Sequence, residues 1–541
     1  MAEEDRTESR NRFFSSSRNL ALSTVVSRIL GLFREQLTAA VIGGGALMSG
    51  WGLATLGANI FRRILGEGEL GKAIVPIISQ SLETEGPERA RDRFSTILLR
   101  LTLLLTSLAV ILGIPSFLIS LTLEPGRWKT AFEIFPILTP YMVFICIVGA
   151  ATAYANVLRE FFLPSLTAIV QNVVLILALM LVRRHYHGLP LLTMLALAVL
   201  IAGVLEMSLI FLVLWRRGMM VRVTRAIMKD TETLKSIWKL VLPGLLGAGA
   251  LQLSLLCDRG VAGLIGDYAL PSLHYSDRLV FLPIGIFAVS FATVANTELS
   301  RYAGTGNYEE LTSLLEKTVR LLLFVSVPFS AFMLCFPESI IRLFYQLGEF
   351  SETNVRETVY AFTMYSAGIP LFSVFKISSV AFTSRRDMVT PLKISLICIS
   401  LNIVLNFALM VPLRQGGIAL ATVISSLLNN TLLLTIYNRQ LPDHKLDFRA
   451  LGLYLLKLVP ACVLPLIPAI LVSRLVVIPG DLDLSMVPYG AILNSKLTVG
   501  IPLLAAGAVY GLCLLALCWI LRIDEAAMVL HRFMRRRSSK A

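Results

Sequence analysis

Long apolar runs recur along the whole chain and constrain its fold more than any other feature. Of the 541 residues, 56% are hydrophobic and only 16% are charged, a composition outside the usual range of soluble domains. A hydrophobic stretch of about 20 residues is long enough to cross a bilayer as a helix. Windows of that length predict about fourteen spans, at 19–42, 46–80, 95–123, 131–157, 163–182, 189–215, 236–264, 270–299, 311–345, 357–383, 390–412, 416–437, 450–478 and 497–521. The predicted fold class is all-α, a polytopic membrane protein.

The distribution of basic residues predicts the orientation of the chain. The formal net charge is +14, and most cations lie in short loops and tails, where they determine topology. Loops rich in cations alternate with loops that carry few; the rich set contains Arg89, Arg91, Arg93, Arg159, Arg216, Arg217, Arg301, Arg385, Arg386, Arg439 and the C-terminal arginines. The positive-inside rule makes these loops and both termini cytoplasmic. Because topology accounts for the charge and no RNA- or DNA-binding motif is present, we expect no nucleic-acid partner.

An internal repeat predicts two related lobes. The segments 155–180 and 381–410 share a cationic loop, a proline five residues after an arginine, and an asparagine-containing apolar helix that ends in Ala-Leu-Met. The offset of roughly 227–230 residues predicts two six-helix lobes, related as parallel repeats, followed by two further helices. The predicted limits are a cytoplasmic tail at 1–18, lobes at 19–220 and 236–440, an amphipathic linker at 221–235, helices 13 and 14 at 441–525, and a basic tail at 526–541.

Several arginines lie inside segments that otherwise have the composition of membrane-spanning helices. They are Arg28, Arg34, Arg62, Arg63 and, next to Asp277, Arg278. An ionised side chain at the bilayer centre costs about 2.5–3.5 kcal/mol, so such residues are tolerated where they face a wet cavity or a charged ligand. One interpretation is an anion site in which arginine forks grip phosphate oxygens. The alternative is a set of internal salt bridges, such as Arg34 with Glu35 or Arg63 with Glu67.

A second group of polar residues lies at membrane depth later in the chain. Asp258 and Arg259 are adjacent in predicted helix 7, Asn402 and Asn406 are one turn apart on helix 11, and Thr422 is on helix 12. One carboxylate with neutral oxygens suits a sodium ion. The alternative is interhelical hydrogen bonding, which is common for Asn and Thr in membrane bundles.

Catalytic chemistry finds no support in the sequence. It contains no DDxxD, GxSxG, HExxH or P-loop motif, and its seven cysteines and five histidines lack the spacing of a metal site. We therefore expect a protein that is not an enzyme and has no resident cofactor.

Several segments resemble a known transporter family. SRILGLFREQLTAAVIGGG and NIFRRILGEGELGKAIVPIISQ resemble the start of the MurJ (MviN) lipid II flippases, members of the multidrug/oligosaccharidyl-lipid/polysaccharide exporter superfamily. HYSDRLVFLPIGIFAVSFATVA, LFYQLGEFSETN, YSAGIP, AFTSRRDMVTP and GGIALATVISSLLNN continue the resemblance in the same order. It covers nearly the whole chain, and the two N-terminal segments are its most specific part.

The resemblance implies a transporter for the undecaprenyl-diphosphate-linked precursor of peptidoglycan. Such a protein moves this lipid from the cytoplasmic to the outer leaflet of the bacterial inner membrane by alternating access, and helices 13 and 14 hold the lipid tail. The family's functional arginines fall on Arg28, Arg34, Arg62 and Arg278, with Asp277 beside the last; the sodium ligands of some members fall on Asp258, Asn402, Asn406 and Thr422. We add Arg63 to the binding set and assign Glu67, Arg259 and Ser49 to gating or coupling, Ser49 because of its place in the family pattern.

The chain departs from the family pattern at three positions. Ser49 stands about where many members have an aspartate, Ala58 lies near the place of a proline, and Asn406 replaces a carboxylate of the sodium-binding members. Loss of the aspartate leaves the N-terminal lobe more positive. Either Asp258 and Arg259 provide the substrate contact in place of the aspartate, or the protein gates differently from the members that have the aspartate.

The expected partners are lipid II, membrane lipids and cell-wall synthesis proteins, for a protein that acts as a monomer and is driven by the membrane potential. Three alternatives stay open. The first is an exporter of another polyprenyl-linked glycan or of small drugs, although drug exporters need acidic or aromatic cavities to hold cations. The second is a membrane enzyme acting on polyprenyl phosphates, and the third is a related scaffold that binds partners without transport.

Overall fold

Helices account for all the regular structure in the part of the chain that the structure describes. A computed structural model describes residues 23, 25–63, 69–222, 252–476 and 490–526. Within these ranges nine helices are long and apolar enough to cross a membrane, or ten if the bent pair Glu352–Ser366 and Ile369–Thr383 is one span. The all-α membrane class is confirmed, and the count of fourteen is not.

The described residues form two compact units. Unit 1 contains the described residues up to Gly263 together with Gly348–Phe350, and unit 2 contains Leu264–Leu347 and the described residues from Ser351 onward. The N-terminal tail, the linker beyond residue 222, and the C-terminal tail beyond residue 526 lie outside the described ranges. The predicted domain limits therefore stay a prediction.

Unit 1 is built around one central helix. Its helices are α1 (25–42), α2 (Ala46–Phe61), α3 (Glu69–Thr84), α4 (Pro87–Ser120), α5 (Arg127–Val157), α6 (Phe162–Ser165), α7 (Thr167–Val182), α8 (Gly188–Arg216) and α9 (252–265), of which all but the last two residues belong to the unit. α5 packs against α2, α3, α4 and α8. At the core of this contact the rings of Phe94 and Tyr154 stack at 4.1 Å. Small residues such as Ala150 and Ala151, both fully buried, let the neighbouring helices approach α5 closely.

Two prolines are tolerated inside α5 because hydroxyl groups replace the hydrogen bonds that they remove. Pro136 and Pro140 lack an N–H, which frees the carbonyl oxygens of Phe132 and Pro136, four residues earlier. Ser116 on α4 donates its hydroxyl to Phe132 O at 3.1 Å, and Thr139 donates to Pro136 O at 2.8 Å. Re-satisfying these carbonyls is what allows a proline-containing helix at membrane depth.

Unit 2 contains several broken helices. Its elements are α10 (Ala269–Pro283), a π-helical segment (Ile284–Ala288), α11 (Val289–Gly304), α12 (Tyr308–Cys335), α13 (Pro337–Tyr345), α14 (Glu352–Ser366), α15 (Ile369–Thr383), α16 (Val389–Gln440), α17 (Phe448–Val463), α18 (Leu466–Leu475) and α19 (Gly490–Ile520). The predicted span 311–345 is interrupted at Phe336, which precedes Pro337. α16 contains a kink at Arg414, and this kink separates the two spans predicted at 390–412 and 416–437.

The repeat seen in the sequence has a structural counterpart in one turn of each unit. Arg159 has a φ of 60° and Arg386, 227 positions later, has a φ of 64°. The N–H of Arg159 donates to Asn156 O, and the N–H of Arg386 donates to Thr383 O, each at 3.0 Å. A left-handed arginine is uncommon, so its recurrence at the repeat offset supports the internal duplication.

The second of these turns continues directly into α16. Asp387 is beside the start of this helix, and its Oδ1 accepts a hydrogen bond from the Thr390 N–H at 3.0 Å. Burial alone would raise the pKa of Asp387, but hydrogen bonds from Thr390, Gln440 and Val389 together hold it below its usual value. The carboxylate therefore stays ionised where negative charge stabilises a helix N-terminus.

Candidate functional site

The two arginines of α1 have different surroundings. Arg28 is exposed, whereas Arg34 is half-buried and its Nη2 donates to Glu35 Oε1 at 2.7 Å. The internal ion pair considered for Arg34 is therefore present. The start of α1 is attached to α7, because Asn172 Nδ2 donates to the Ser27 carbonyl oxygen at 3.2 Å. Arg28 thus lies beside an anchored segment with its side chain accessible.

Arg62 and Arg63 directly follow the last residue of α2. The N–H of Arg62 donates to the carbonyls of Ala58 and Asn59, which continues the helical hydrogen bonding. The preceding carbonyl, Phe61 O, accepts a contact from Cys146 Sγ of α5 at 3.7 Å. The backbone just before the pair is therefore attached to the central helix of unit 1. Of the two side chains, Arg62 is half-buried and Arg63 is exposed.

The helix limits divide the single span that was predicted at 46–80. α2 ends at Phe61 and α3 begins at Glu69. Glu67 lies outside the described residues, so its gating role and its pairing with Arg63 stay predictions.

Ser49 is fully buried, in a part of α2 that packs tightly against α5. A Cβ added at the neighbouring Gly50 would lie only 2.6 Å from Thr130 Cβ. A carboxylate at the position of Ser49 would have to be accommodated inside this contact, where an unpaired charge is costly. The gating role of Ser49 stays a prediction.

One charged residue of unit 1 was not among the predicted site residues. Glu206 on α8 is 1% exposed, and its Oε2 has no hydrogen-bond partner among the described residues. The available signal was a single acidic residue in the otherwise uncharged run GLPLLTMLALAVLIAGVLEMSLIFLVLW. Its burial could not be predicted, because it depends on the packing of α8 against α5.

In unit 2, α10 places Asp277 and Arg278 opposite a well-anchored face. Ser276 donates its hydroxyl to Thr358 O of α14 at 3.2 Å, and Tyr345 of α13 donates to Tyr275 O at the same distance. Tyr275 and Ser276 are fully buried, while Asp277 is half-buried and Arg278 is exposed. The guanidinium of Arg278 therefore lies on the side of α10 that does not carry the packing.

The polar residues of α16 form a hydrogen-bonded chain across the kink. Asn406 Nδ2 donates to Asn402 Oδ1 at 3.3 Å, and Asn402 Nδ2 donates to Thr422 Oγ1 at 3.5 Å. This geometry matches the alternative of hydrogen bonding between helices. Asp258 and Arg259 are half-buried in unit 1.

A sodium site was predicted from these polar residues. No group of three or more His, Cys, Asp or Glu side chains suited to a metal occurs within the described ranges. The sodium ligand set Asp258, Asn402, Asn406 and Thr422, which relies mainly on neutral oxygens, stays a prediction.

Comparisons with known proteins identify the family. Residues 38–486 match the family described as "Lipid II flippase MurJ". A protein of Rhizobium meliloti (strain 1021) named "Probable lipid II flippase MurJ" is 28% identical over 424 residues, covering 76% of this chain and 78% of that protein. A Vibrio cholerae protein of the same name is 28% identical over 435 residues, covering 78% and 82%.

Solved structures agree on the fold. The structure titled "Lipid II flippase MurJ, inward closed conformation" matches with a TM-score of 0.73 at 21% identity, covering 93% of this chain and 99% of that one. An inward-facing multidrug resistance MATE family transporter of the MOP superfamily matches with a TM-score of 0.58 at 16% identity, covering 78% and 94%. The sequence match spans most of the chain and includes Arg62 and Arg278, and on this ground the chain belongs to the family of lipid II flippases called MurJ.

Proposed function

We propose that this protein moves lipid II from the cytoplasmic to the outer leaflet of the bacterial inner membrane by alternating access, without catalysing a reaction. The observation that carries the proposal is the presence of accessible arginines on apolar helices in a chain of this family. Arg28 and Arg278 are exposed, and Arg62 is half-buried. Guanidinium groups bind diphosphate oxygens through two parallel hydrogen bonds, whereas a drug cation would be repelled by them.

The chemistry of lipid II explains why a cationic surface is needed. Its diphosphate and sugar–peptide headgroup cannot cross hydrocarbon unaided, because an ion loses its hydration there. Arg28, Arg34, Arg62, Arg63 and Arg278, with Asp277, are assigned to the headgroup, and the guanidiniums replace water around the diphosphate. The polyprenyl tail stays in hydrocarbon, held by the last two predicted spans, at 441–525. Glu67, Arg259 and Ser49 are assigned to gating or coupling.

The energy source and the setting complete the proposal. Moving one elementary charge across 100 mV is worth about 2.3 kcal/mol, so the membrane potential suffices to drive net transport of a charged headgroup. Sodium bound by Asp258, Asn402, Asn406 and Thr422 is a second source that ion substitution would test. Both termini are assigned to the cytoplasm, and the protein works as a monomer alongside membrane lipids and cell-wall synthesis proteins.

A transport assay tests the proposed function. Purified protein in proteoliposomes is expected to make fluorescent lipid II accessible to an external reagent faster than empty liposomes do. An O-antigen precursor on the same polyprenyl carrier should be moved much more slowly, because its headgroup differs while the diphosphate and tail are shared. Lipid II accessibility no faster than in empty liposomes would overturn the proposal, and equal rates for both lipids would assign the protein to a broader glycan exporter.

A further inference from the structure

One lysine lies in the middle of a membrane-spanning segment of unit 2. Lys376 is seven residues from either end of α15, which together with α14 forms the bent pair that is apolar enough to cross a membrane. At 1.5 Å per residue this places it about 10 Å from each end of the helix. It has no hydrogen bond or ion pair with any described residue. A cation at this depth marks a functional site more often than a structural one.

The side chain of Lys376 does not face lipid. It is the one exposed residue of α15, all of which is described, and every apolar residue of that helix is buried or half-buried. The neighbouring helix α16 differs, since its Ile397, Val404 and Val411 are 58%, 63% and 81% exposed. A lipid-facing surface carries exposed apolar side chains of that kind, whereas ionisable residues within spans face the bundle interior or a water-filled cavity. The ammonium group of Lys376 is therefore accessible from a hydrated space that α15 borders.

Contacts along α10 establish its direction relative to α14 and α15. Ser276 of α10 donates its hydroxyl to Thr358 O of α14 at 3.2 Å. Further along both stretches of chain, the rings of Phe281 on α10 and Phe372 on α15 stack with their centroids 5.5 Å apart. The contacts advance in the same order on both sides, so α10 runs parallel to the pair formed by α14 and α15.

Arg278 and Lys376 lie on either side of these stacked rings. Arg278 precedes Phe281 by three residues and Lys376 follows Phe372 by four, so each cation shares a helix face with the ring of its own helix. Seven residues at 1.5 Å per residue separate the two cations by about 10 Å along the helix axes. Side chains on helices lean toward the N-terminus. Because the helices are parallel, both cations lean the same way and the separation between their charges is kept.

We propose that Lys376 binds a carboxylate of the pentapeptide of lipid II while Arg278 holds the diphosphate. This inference rests on the proposed function, because it takes lipid II as the substrate. The separation of the two cations is wider than one diphosphate group, so it suits two anionic groups of the same headgroup. A pentapeptide ends in a carboxylate, and the compact charge and flexible stem of lysine suit a group carried on a flexible chain. Lys376 is thus a specificity-determining residue, since a polyprenyl-linked glycan without carboxylates lacks this contact.

The decisive variant is Lys376→Met, which removes the charge and keeps most of the length of the side chain. Both test lipids carry a fluorophore on the polyprenyl tail and are measured in nanodiscs. We expect the wild-type protein to bind lipid II about tenfold more tightly than the same lipid without its pentapeptide, as one charge-assisted hydrogen bond implies. Lys376→Met should bind lipid II about tenfold more weakly than wild type and the peptide-free lipid equally well.

Two further results bear on the variant. Lys376→Arg keeps the charge and should retain most of the preference for lipid II. Equal weakening of both lipids by Lys376→Met would place the lysine on the shared diphosphate and overturn the assignment to the peptide. No weakening of either lipid would overturn it as well.

A measurement on the unaltered protein tests the same contact without a variant. Lipid II whose peptide carboxylates have been converted to amides keeps its size, its sugars and its diphosphate. The wild-type protein is expected to bind this lipid about tenfold more weakly than lipid II. Unchanged affinity for the amidated lipid overturns the inference even if Lys376→Met protein fails to accumulate.

Lys393→Met is the matched control. Lys393 is an exposed lysine four residues after the first residue of α16, and the adjacent Leu392 is 41% exposed. A lysine so close to the helix end can extend its charge into water at the membrane surface. Lys393→Met should therefore leave both affinities unchanged. A loss of lipid II affinity equal to that of Lys376→Met would show a general effect of positive charge and overturn the inference.

The outcomes separate this inference from the proposed function. Wild-type protein that neither binds nor moves lipid II refutes the proposed function itself. Wild-type protein that moves lipid II but binds the peptide-free lipid just as tightly refutes the role of Lys376 alone.

Discussion

Replacing Arg62 or Arg278 with alanine should abolish the rescue of bacteria depleted of their own lipid II flippase, while the amount of the protein in the membrane stays constant. The packing of α10 depends on Tyr275 and Ser276, on the side away from Arg278. The backbone of Arg62 is held by helical hydrogen bonds that do not involve its side chain. Truncating either guanidinium therefore removes charge with little change in packing.

The size of the effect follows from the hydrogen bonds lost. Each charge-assisted bond contributes about 1.5–3 kcal/mol, and a guanidinium gripping a diphosphate makes two of them. Losing both bonds lowers the transport rate by about 100-fold or more. We expect the remaining rate to be too low to support growth. Lysine at the same positions keeps the charge but not the fork, so Arg62→Lys and Arg278→Lys should rescue growth only partly.

The control for these variants is an arginine that is not assigned to the headgroup. Arg439 is exposed in the last turn of α16, and Arg439→Ala should rescue growth fully. The readout is colony formation after depletion, with immunoblots for protein level and measurement of accumulated lipid II. Full rescue by both Arg62→Ala and Arg278→Ala would show that these guanidiniums do not carry the anion.

Some features of the structure are encoded in short stretches of local sequence. The two repeated segments share a proline five residues after an arginine, and the structure gives both turns the same backbone, with Arg159 and Arg386 left-handed. The neighbours Arg34 and Glu35 pair, which is the alternative that the sequence offered to an anion site at Arg34. In each case the information lies within a few residues of the chain, where a pattern can be read directly.

Features that depend on packing between helices could not be predicted. Glu206 lies in a run that reads as a uniform span, and its near-complete burial depends on how α8 packs against α5. Hydropathy windows also treated 311–345 as one helix, because averaging over about 20 residues conceals a break at a single position such as Phe336. Ser116 is similar, since its bond to Phe132 O compensates for a proline on a different helix.

The kink in α16 depends on a close approach that only glycine permits. Arg414 has a φ of 46° and a ψ of −134°, which turns the chain sharply between the two arms of the helix. A Cβ added at Gly417 would lie 2.3 Å from Leu409 O and 2.7 Å from Leu409 C. These are backbone atoms of the preceding arm, so no side-chain rotation can relieve the clash.

Gly417→Ala should destabilise the protein by about 3 kcal/mol, near the upper end for overpacked sites, because the arms must separate to admit a single methyl group. The expected reading is a fall of roughly 5 °C in the temperature at which half of the detergent-purified protein aggregates. Gly417→Val, with two further carbons at the same contact, should not accumulate in the membrane at all.

Gly452→Ala tests whether the cause is the close approach or the loss of glycine itself. Gly452 lies within α17, and a Cβ there would meet nothing within 4 Å. Alanine is the better helix former by about 0.5–1 kcal/mol, so Gly452→Ala should leave the aggregation temperature unchanged or raise it. Equal losses at both positions would mean that helix flexibility, and not contact with Leu409, is what the glycines provide. A loss confined to Gly417 means that the bend at Arg414 persists because residue 417 has no side chain, and any sequence that keeps this bend must keep that glycine.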